Sequence, residues 1–142
     1  MKKFTAIILI SIFSSYANAT TSIMTNPIQL MLGLPNIEYQ QSLDDTAGFT
    51  AQYASLFYGG GDATIMGGSY KSSFKNQPEN RFGSGAYWRV GLVQVSVASG
   101  SSAVGGVLPV ATVGYDYKIN KNFLLNIDIG IFNNGLSLGY TF

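Results

Sequence analysis

The sequence predicts an all-β fold: eight antiparallel strands joined up-and-down and closed into a barrel. Three observations carry that prediction. Apolar and polar residues alternate with a period of two through most of the chain, as they do on a strand with two unlike faces. Turn-forming residues interrupt the alternation at fairly even spacing, as at Asp44-Asp45-Thr46, Asn120-Lys121 and Asn133-Asn134-Gly135. Glycine and aromatic residues are abundant while Lys, Glu and Arg are scarce, a balance that favours strands over helices.

Composition narrows the functions available. A chain of 142 residues is one domain's worth, and its net charge of +1 provides no basic face for nucleic acid. There is no cysteine, which excludes a disulfide scaffold, a thiolate zinc site and a lipid-modified N-terminal cysteine. There is no histidine either, so the commonest general base and metal ligand is missing.

The first 19 residues follow a different logic. Lys2 and Lys3 precede an apolar run from Phe4 to Phe13, then Ser14, Ser15 and Ala17-Asn18-Ala19. A charged start, a short apolar core and an A-x-A site define a secretory signal peptide. A membrane anchor needs about 20 apolar residues, and Ser11, Ser14 and Ser15 break the run before that. The expected division is a leader over 1–19, cleaved after Ala19, and a barrel domain over 20–142 that folds outside the cytoplasm.

The strands follow in order. Ile28 to Leu32 is apolar and ends at the turn Gly33-Leu34-Pro35-Asn36. Asn36 to Leu43 sets Ile37, Tyr39 and Leu43 opposite Glu38, Gln40 and Ser42. Phe49, Ala51 and Tyr53 open a third strand that runs to about Tyr58, and Gly59-Gly60-Gly61-Asp62 closes it. About Thr64 to Phe74 sets Met66, Tyr70 and Phe74 opposite Ser69, Lys71 and Ser73, and 75–81 is a loop. From about Ser84 to Val97 the apolar parity changes, from Trp88, Val90 and Leu92 to Val93, Val95 and Val97. A one-residue slip predicts a β-bulge near Leu92-Val93. Ser99 to Ala103 is a loop of small residues. Val104 to Ile119 is a strand in which Pro109 predicts a local break in pairing. Phe123, Leu125, Ile127, Ile129 and Ile131 alternate with Leu124, Asn126, Asp128 and Gly130, and Asn133-Asn134-Gly135 forms a hairpin turn. Leu136-Ser137-Leu138-Gly139-Tyr140-Thr141-Phe142 then closes the barrel against Ile28 to Leu32. The short first hairpin is the least regular part, and merging Ile28 to Leu43 would give seven strands.

Alternation alone cannot say which parity faces inward. A soluble barrel turns its apolar parity to the core; a membrane barrel turns it to lipid and keeps polar groups in the lumen. The aromatics favour the second arrangement. Tyr39 and Phe49, Tyr70 and Phe74, Phe82 and Trp88, Tyr115 and Tyr117, Phe123, Tyr140 and Phe142 gather beside the turns at one end, against Phe57, Tyr58 and Phe132 at the other. Such sorting suits the membrane–water boundary. The inward parity then carries Glu38, Lys71, Arg89, Asp116, Lys118 and Asp128, with Gln40, Gln52, Thr112 and Asn126. Three acids and three bases in a narrow lumen predict a salt-bridge and hydrogen-bond network that plugs it, since an unpaired buried charge is very costly. Eight strands scarcely leave room for a path between them.

Chemistry has little to work with. Ser69, Ser72 and Ser73 lie near Lys71, but Ser69 and Ser73 merely share its strand face. Asp44-Asp45 favours a turn over a divalent-ion site. Gly59-Gly60-Gly61-Asp62 lacks the Lys-Ser/Thr of a phosphate loop. No catalytic, cofactor or metal residues are expected, and the chain reads as a non-enzyme.

The leader, the eight alternating segments, the aromatic band and the terminal Phe together resemble the small eight-stranded outer-membrane β-barrels of Gram-negative bacteria, with an OmpX-like architecture. Within them the chain resembles most a group whose short first hairpin precedes an Asn-Ile-Glu-Tyr-like segment, here Asn36 to Tyr39. The resemblance implies an outer-membrane, porin-like protein with both termini periplasmic, surrounded by lipid and lipopolysaccharide. It also implies delivery by periplasmic chaperones and the barrel-assembly machinery, which would read Tyr140 and Phe142 as an insertion signal. Lipid A deacylases and palmitoyltransferases of similar size depend on a catalytic histidine that this chain lacks. OmpX-type barrels use long protruding outer loops for adhesion, whereas the outer connections here are short. The expected role is structural or in envelope maintenance. A narrow transport barrel for a small or apolar ligand, and a soluble periplasmic ligand-binding barrel, are the alternatives; no particular ligand follows from the sequence.

Overall fold

The computed structural model describes residues 20–58, 61–74, 81–99, 102–131 and 135–142. The expected leader, the Gly59-Gly60 step and most of the 75–81 loop lie outside them, as do Phe132, Asn133 and Asn134. The elements are β1 (Thr21–Thr25), α1 (Pro27–Met31), β2 (Asn36–Ser42), β3 (Ala47–Tyr58), β4 (Gly61–Ser73), β5 (Gly85–Ser99), β6 (Ser102–Lys118), β7 (Phe123–Ile131) and β8 (Gly135–Thr141). Each strand pairs antiparallel with its neighbours in sequence, and β8 closes on β1 to complete an eight-stranded barrel. The all-β, up-and-down fold class is the one the alternation predicts.

The first hairpin is corrected. Ile28 to Leu32 does not form the opening strand: Pro27–Met31 is a short helix, and the strand that meets β8 is Thr21–Thr25, through pairs such as Ser22 with Thr141 and Met24 with Gly139. Asn26 caps the helix, its side chain accepting from the backbone N–H of Ile28 and Gln29, and Pro27 supplies a preset φ in the first turn. The eight-strand count survives because β1 lies upstream of the apolar run.

The expected bulge is absent. β5 pairs with β4 and β6 in unbroken register from Tyr87 to Ala98. Val93 is buried while Leu92 is exposed, so Tyr87, Arg89, Val93 and Val95 all belong to the inward face. The lumen changes lining along its length: charged and polar beside β5's first half, aliphatic beside its second. A parity rule that equates apolar with lipid-facing misreads that second half. Pairing also runs straight through Pro109, which sits opposite Leu92 on β5. Toward β7 the described pairing of β6 reaches Ala111, opposite Ile131.

The wall is uneven in height. Thr20, Phe142 and the ends where β2 meets β3, β4 meets β5 and β6 meets β7 mark one end, here the terminal end; α1 and the ends where β3 meets β4, β5 meets β6 and β7 meets β8 mark the distal end. β2 begins at Asn36 opposite Ala54, yet β3 and β4 continue together to Tyr58 and Gly61. β5 and β6 pair on to Ser99 and Ser102. Strands β3 to β6 therefore stand above β7, β8, β1 and β2 at the distal end.

Terminal-end turns are locked by side chains. Asp44 accepts from the backbone of Thr46 and Ala47 at 2.7 and 2.8 Å, and Asn120 accepts from Asn122 and Phe123 at 2.9 Å each.

Candidate functional site

The faces of the barrel are inverted relative to a soluble protein. Outward side chains are large, apolar and exposed: Ile37, Val90, Leu92, Val113, Ile127 and Ile129, with Ile129 reaching 68 %. Inward side chains are polar and charged: Lys71 and Arg89 are each 1 % exposed and Asp116 is 2 %. In water such an exterior would be an interaction surface far beyond the patch sizes monomers expose, and the buried ions would be the expensive part of the core.

Most aromatics expected beside the terminal turns face outward there and touch one another. Phe49 meets Tyr70 edge-on at 5.9 Å, and Tyr70 lies 5.7 Å from Trp88. Phe123, Tyr140 and Phe142 form a second chain of edge contacts at 5.2 and 5.0 Å. Phe82 is the exception. It is 5 % exposed, turned into the lumen beside Gly48 and Lys71 rather than set in the band. The backbone N–H of Phe82 donates to the carbonyl of Asp45, tying the 81–84 turn across the terminal mouth. A Cβ on Gly48 would run into the ring, which is why a residue without one stands there.

The interior brings together five of the six charged residues named from the sequence. Lys71 Nζ lies 2.6 Å from Asp116 Oδ2 and donates also to Gln40 Oε1 at 3.1 Å. The Arg89 guanidinium spans two acids, with Nη1 2.7 Å from Glu38 Oε2 and Nη2 2.9 Å from Asp128 Oδ2. Neutral groups join the two halves. Gln40 Nε2 donates to Glu38 Oε1, Asn126 Nδ2 donates to Asp116 Oδ1 and to Tyr87 Oη, and Tyr87 Oη donates to Asp128 Oδ1. The Tyr87 ring also lies 3.8 Å from Lys71 Nζ, where its face attracts the cation. Lys118 does not take part. It is exposed at the terminal rim although its parity is inward, because β6 there has run past the end of its pairing with β5 and keeps only Leu124 of β7 opposite it. The interior therefore holds three acids against two bases among the described residues.

Tyr87 is the member the sequence reading missed. Its signal was its parity, two residues before Arg89 and out of phase with Trp88. Gly114 makes room for it, since a Cβ at that position would strike the Tyr87 ring and hydroxyl. Four buried polar atoms have no protein partner among the described residues: Thr50 Oγ1, Ser69 Oγ, Thr112 Oγ1 and Arg89 Nε, all on the β3–β6 wall.

Nucleophilic chemistry finds no support in this arrangement. Lys71 Nζ is engaged by Asp116 and Gln40 and makes no hydrogen bond to Ser69 or Ser73 among the described residues. No cluster of three or more potential metal ligands occurs among the described residues. On the distal side of the network lies a pocket of about 170 Å³, with Glu38 and Asp128 among its lining residues and Asn26 and Gln29 from the α1 segment at its rim.

Comparison with solved structures finds the same fold. The chain is similar to the N-terminal β-barrel domain of Pseudomonas aeruginosa OprF, with a TM-score of 0.59 and 15 % sequence identity, over 88 % of this chain and 98 % of that one. No protein-family model matches the chain, and no curated protein matches it.

Proposed function

We propose that the protein is an integral barrel of a Gram-negative outer membrane, non-enzymatic, with a closed lumen and a structural or envelope-maintenance role. The carrying observation is the inverted distribution of polarity: exposed Val, Leu, Ile and aromatic side chains outside, ion pairs inside. The likeness in fold to the OprF barrel domain is consistent with this reading. So is α1. Where β1 ends after five residues, Ile28, Leu30, Met31 and Leu32 are all exposed, and they would continue the lipid-facing surface over the low wall. On β4 and β5 the outward residues near the distal end become polar, with Asp62, Thr64, Gln94 and Ser96, as expected of strands leaving the bilayer.

In this reading both termini are periplasmic, the distal end faces outward among lipid and lipopolysaccharide, and Tyr140 and Phe142 serve as the signal for chaperones and the barrel-assembly machinery. Closure rests on three layers: Phe82 at the terminal end, the ion network across the middle, and aliphatic side chains such as Val93 and Val110 beyond it. Refolded protein in planar bilayers is expected to show no steady channels. Reproducible unitary conductance would overturn the closed lumen and favour a transport barrel.

A further inference from the structure

The closed lumen keeps one pocket beside its ion network. Phe82 and the turn that carries it cover the terminal mouth, whereas the 170 Å³ pocket lies on the distal side of the network, with Asn26 and Gln29 of the α1 segment among its lining residues. Its volume is comparable to a cavity of about 150 Å³ that admits benzene. The lining has two chemistries. Glu38 and Asp128 lie at the network side, carboxamides of Asn26 and Gln29 stand at the rim, and Met24 and Ile65 offer aliphatic surface between them.

Charge decides which ligand suits it. Three inward carboxyl groups, those of Glu38, Asp116 and Asp128, face two inward bases, Lys71 and Arg89. Both cations are already engaged, Lys71 by Asp116 and Arg89 by the two pocket carboxylates. An anion would meet carboxylates with no free base behind them. A cation would meet Glu38, whose side chain is 16 % exposed and whose oxygens each accept one hydrogen bond of the two available to them. We infer that this pocket is a binding site for a small organic cation, a primary ammonium on a short alkyl chain, taken up from the distal side. The ammonium docks on Glu38 beside Asp128, and the alkyl chain lies against Met24 and Ile65. Such a pocket holds its ligand without a through-path, so the inference goes beyond the structural role and does not depend on it.

The test is a titration of the refolded protein in detergent micelles with n-butylamine as probe, following the Met24 methyl resonance by NMR. Saturable shifts are expected with butylamine at neutral pH, and none with butyrate or 1-butanol at equal concentration. Glu38→Gln should weaken binding at least tenfold. If that variant does not refold, Ile65→Phe, which fills the pocket without touching the ion network, should do the same, while Lys118→Ala should bind as the parent does. Absence of saturation, an equal response to butanol, or undiminished binding by Ile65→Phe would overturn the inference. A negative result leaves the closed lumen standing, because conductance reads that property separately.

Discussion

Arg89 is the residue on which the interior turns. Its guanidinium joins Glu38 on β2 to Asp128 on β7, which lie on different sides of the barrel. Removing it strands two carboxylates in a site where solvent compensates little. Arg89→Ala is expected to cost about 3 kcal/mol or more, read as an earlier midpoint for unfolding in urea from lipid vesicles. Lys118→Ala, at the exposed rim, should shift that midpoint by no more than about 0.5 kcal/mol. Equal effects from the two would mean that the network is not what holds the strands together. The orphaned hydroxyl of Thr112 makes the opposite case: Thr112→Val keeps the shape, discards an unpaired buried polar group and should raise stability by about 1 kcal/mol. A clear loss on that substitution would show that the hydroxyl is satisfied in the lumen. Glu38, Lys71, Arg89, Asp116 and Asp128 could be picked out from the sequence because a period of two assigns each charge to a face. Parity does not report how far along the axis a residue sits, and for that reason Lys118 was grouped with them.

At the level of elements, the long strands announced themselves and the first hairpin did not. β3 to β7 each carry at least nine residues, enough for alternation to repeat. β1 has five residues, Thr21–Thr25, with three small hydroxyl side chains and no clear period. The apolar run Ile28 to Leu32 outcompeted it on hydrophobicity, because a continuous apolar stretch reads equally well as a buried strand or a helix. The arbitrating signal was Asn26-Pro27, a capping residue followed by proline in the first helical turn. The supposed bulge had a related origin. Val93, Val95 and Val97 were given to the lipid side, whereas the tall β3–β6 wall places aliphatic residues inside its distal half. On the outer face β7 offers the cleanest test. Ile127→Arg puts a charge where the account has hydrocarbon and should destabilise the folded protein in vesicles by about 2–4 kcal/mol. A neutral effect would mean that this face meets water.

For the whole molecule, an exterior of exposed aliphatic side chains and an interior of ion pairs are two aspects of one arrangement. Eight strands close tightly enough for Lys71, Arg89 and their acids to reach across the lumen, and the same pleat sends Ile, Val and Leu outward. The two chains of edge-on aromatic contacts gather at the terminal end, the place for a boundary between lipid and water. Deleting Phe142 should leave the refolded barrel intact in vitro while lowering the amount assembled in cells, if the last strand is read as an insertion signal; unchanged assembly would count against that role. The central claim, that this inverted barrel resides in a membrane, is tested most directly by fractionating cells that express the full chain and comparing boiled with unboiled samples on gels. The account predicts that the protein sediments with the outer membrane, dissolves only in detergent and changes mobility on heating. Recovery in the soluble fraction after cell breakage without detergent would contradict it.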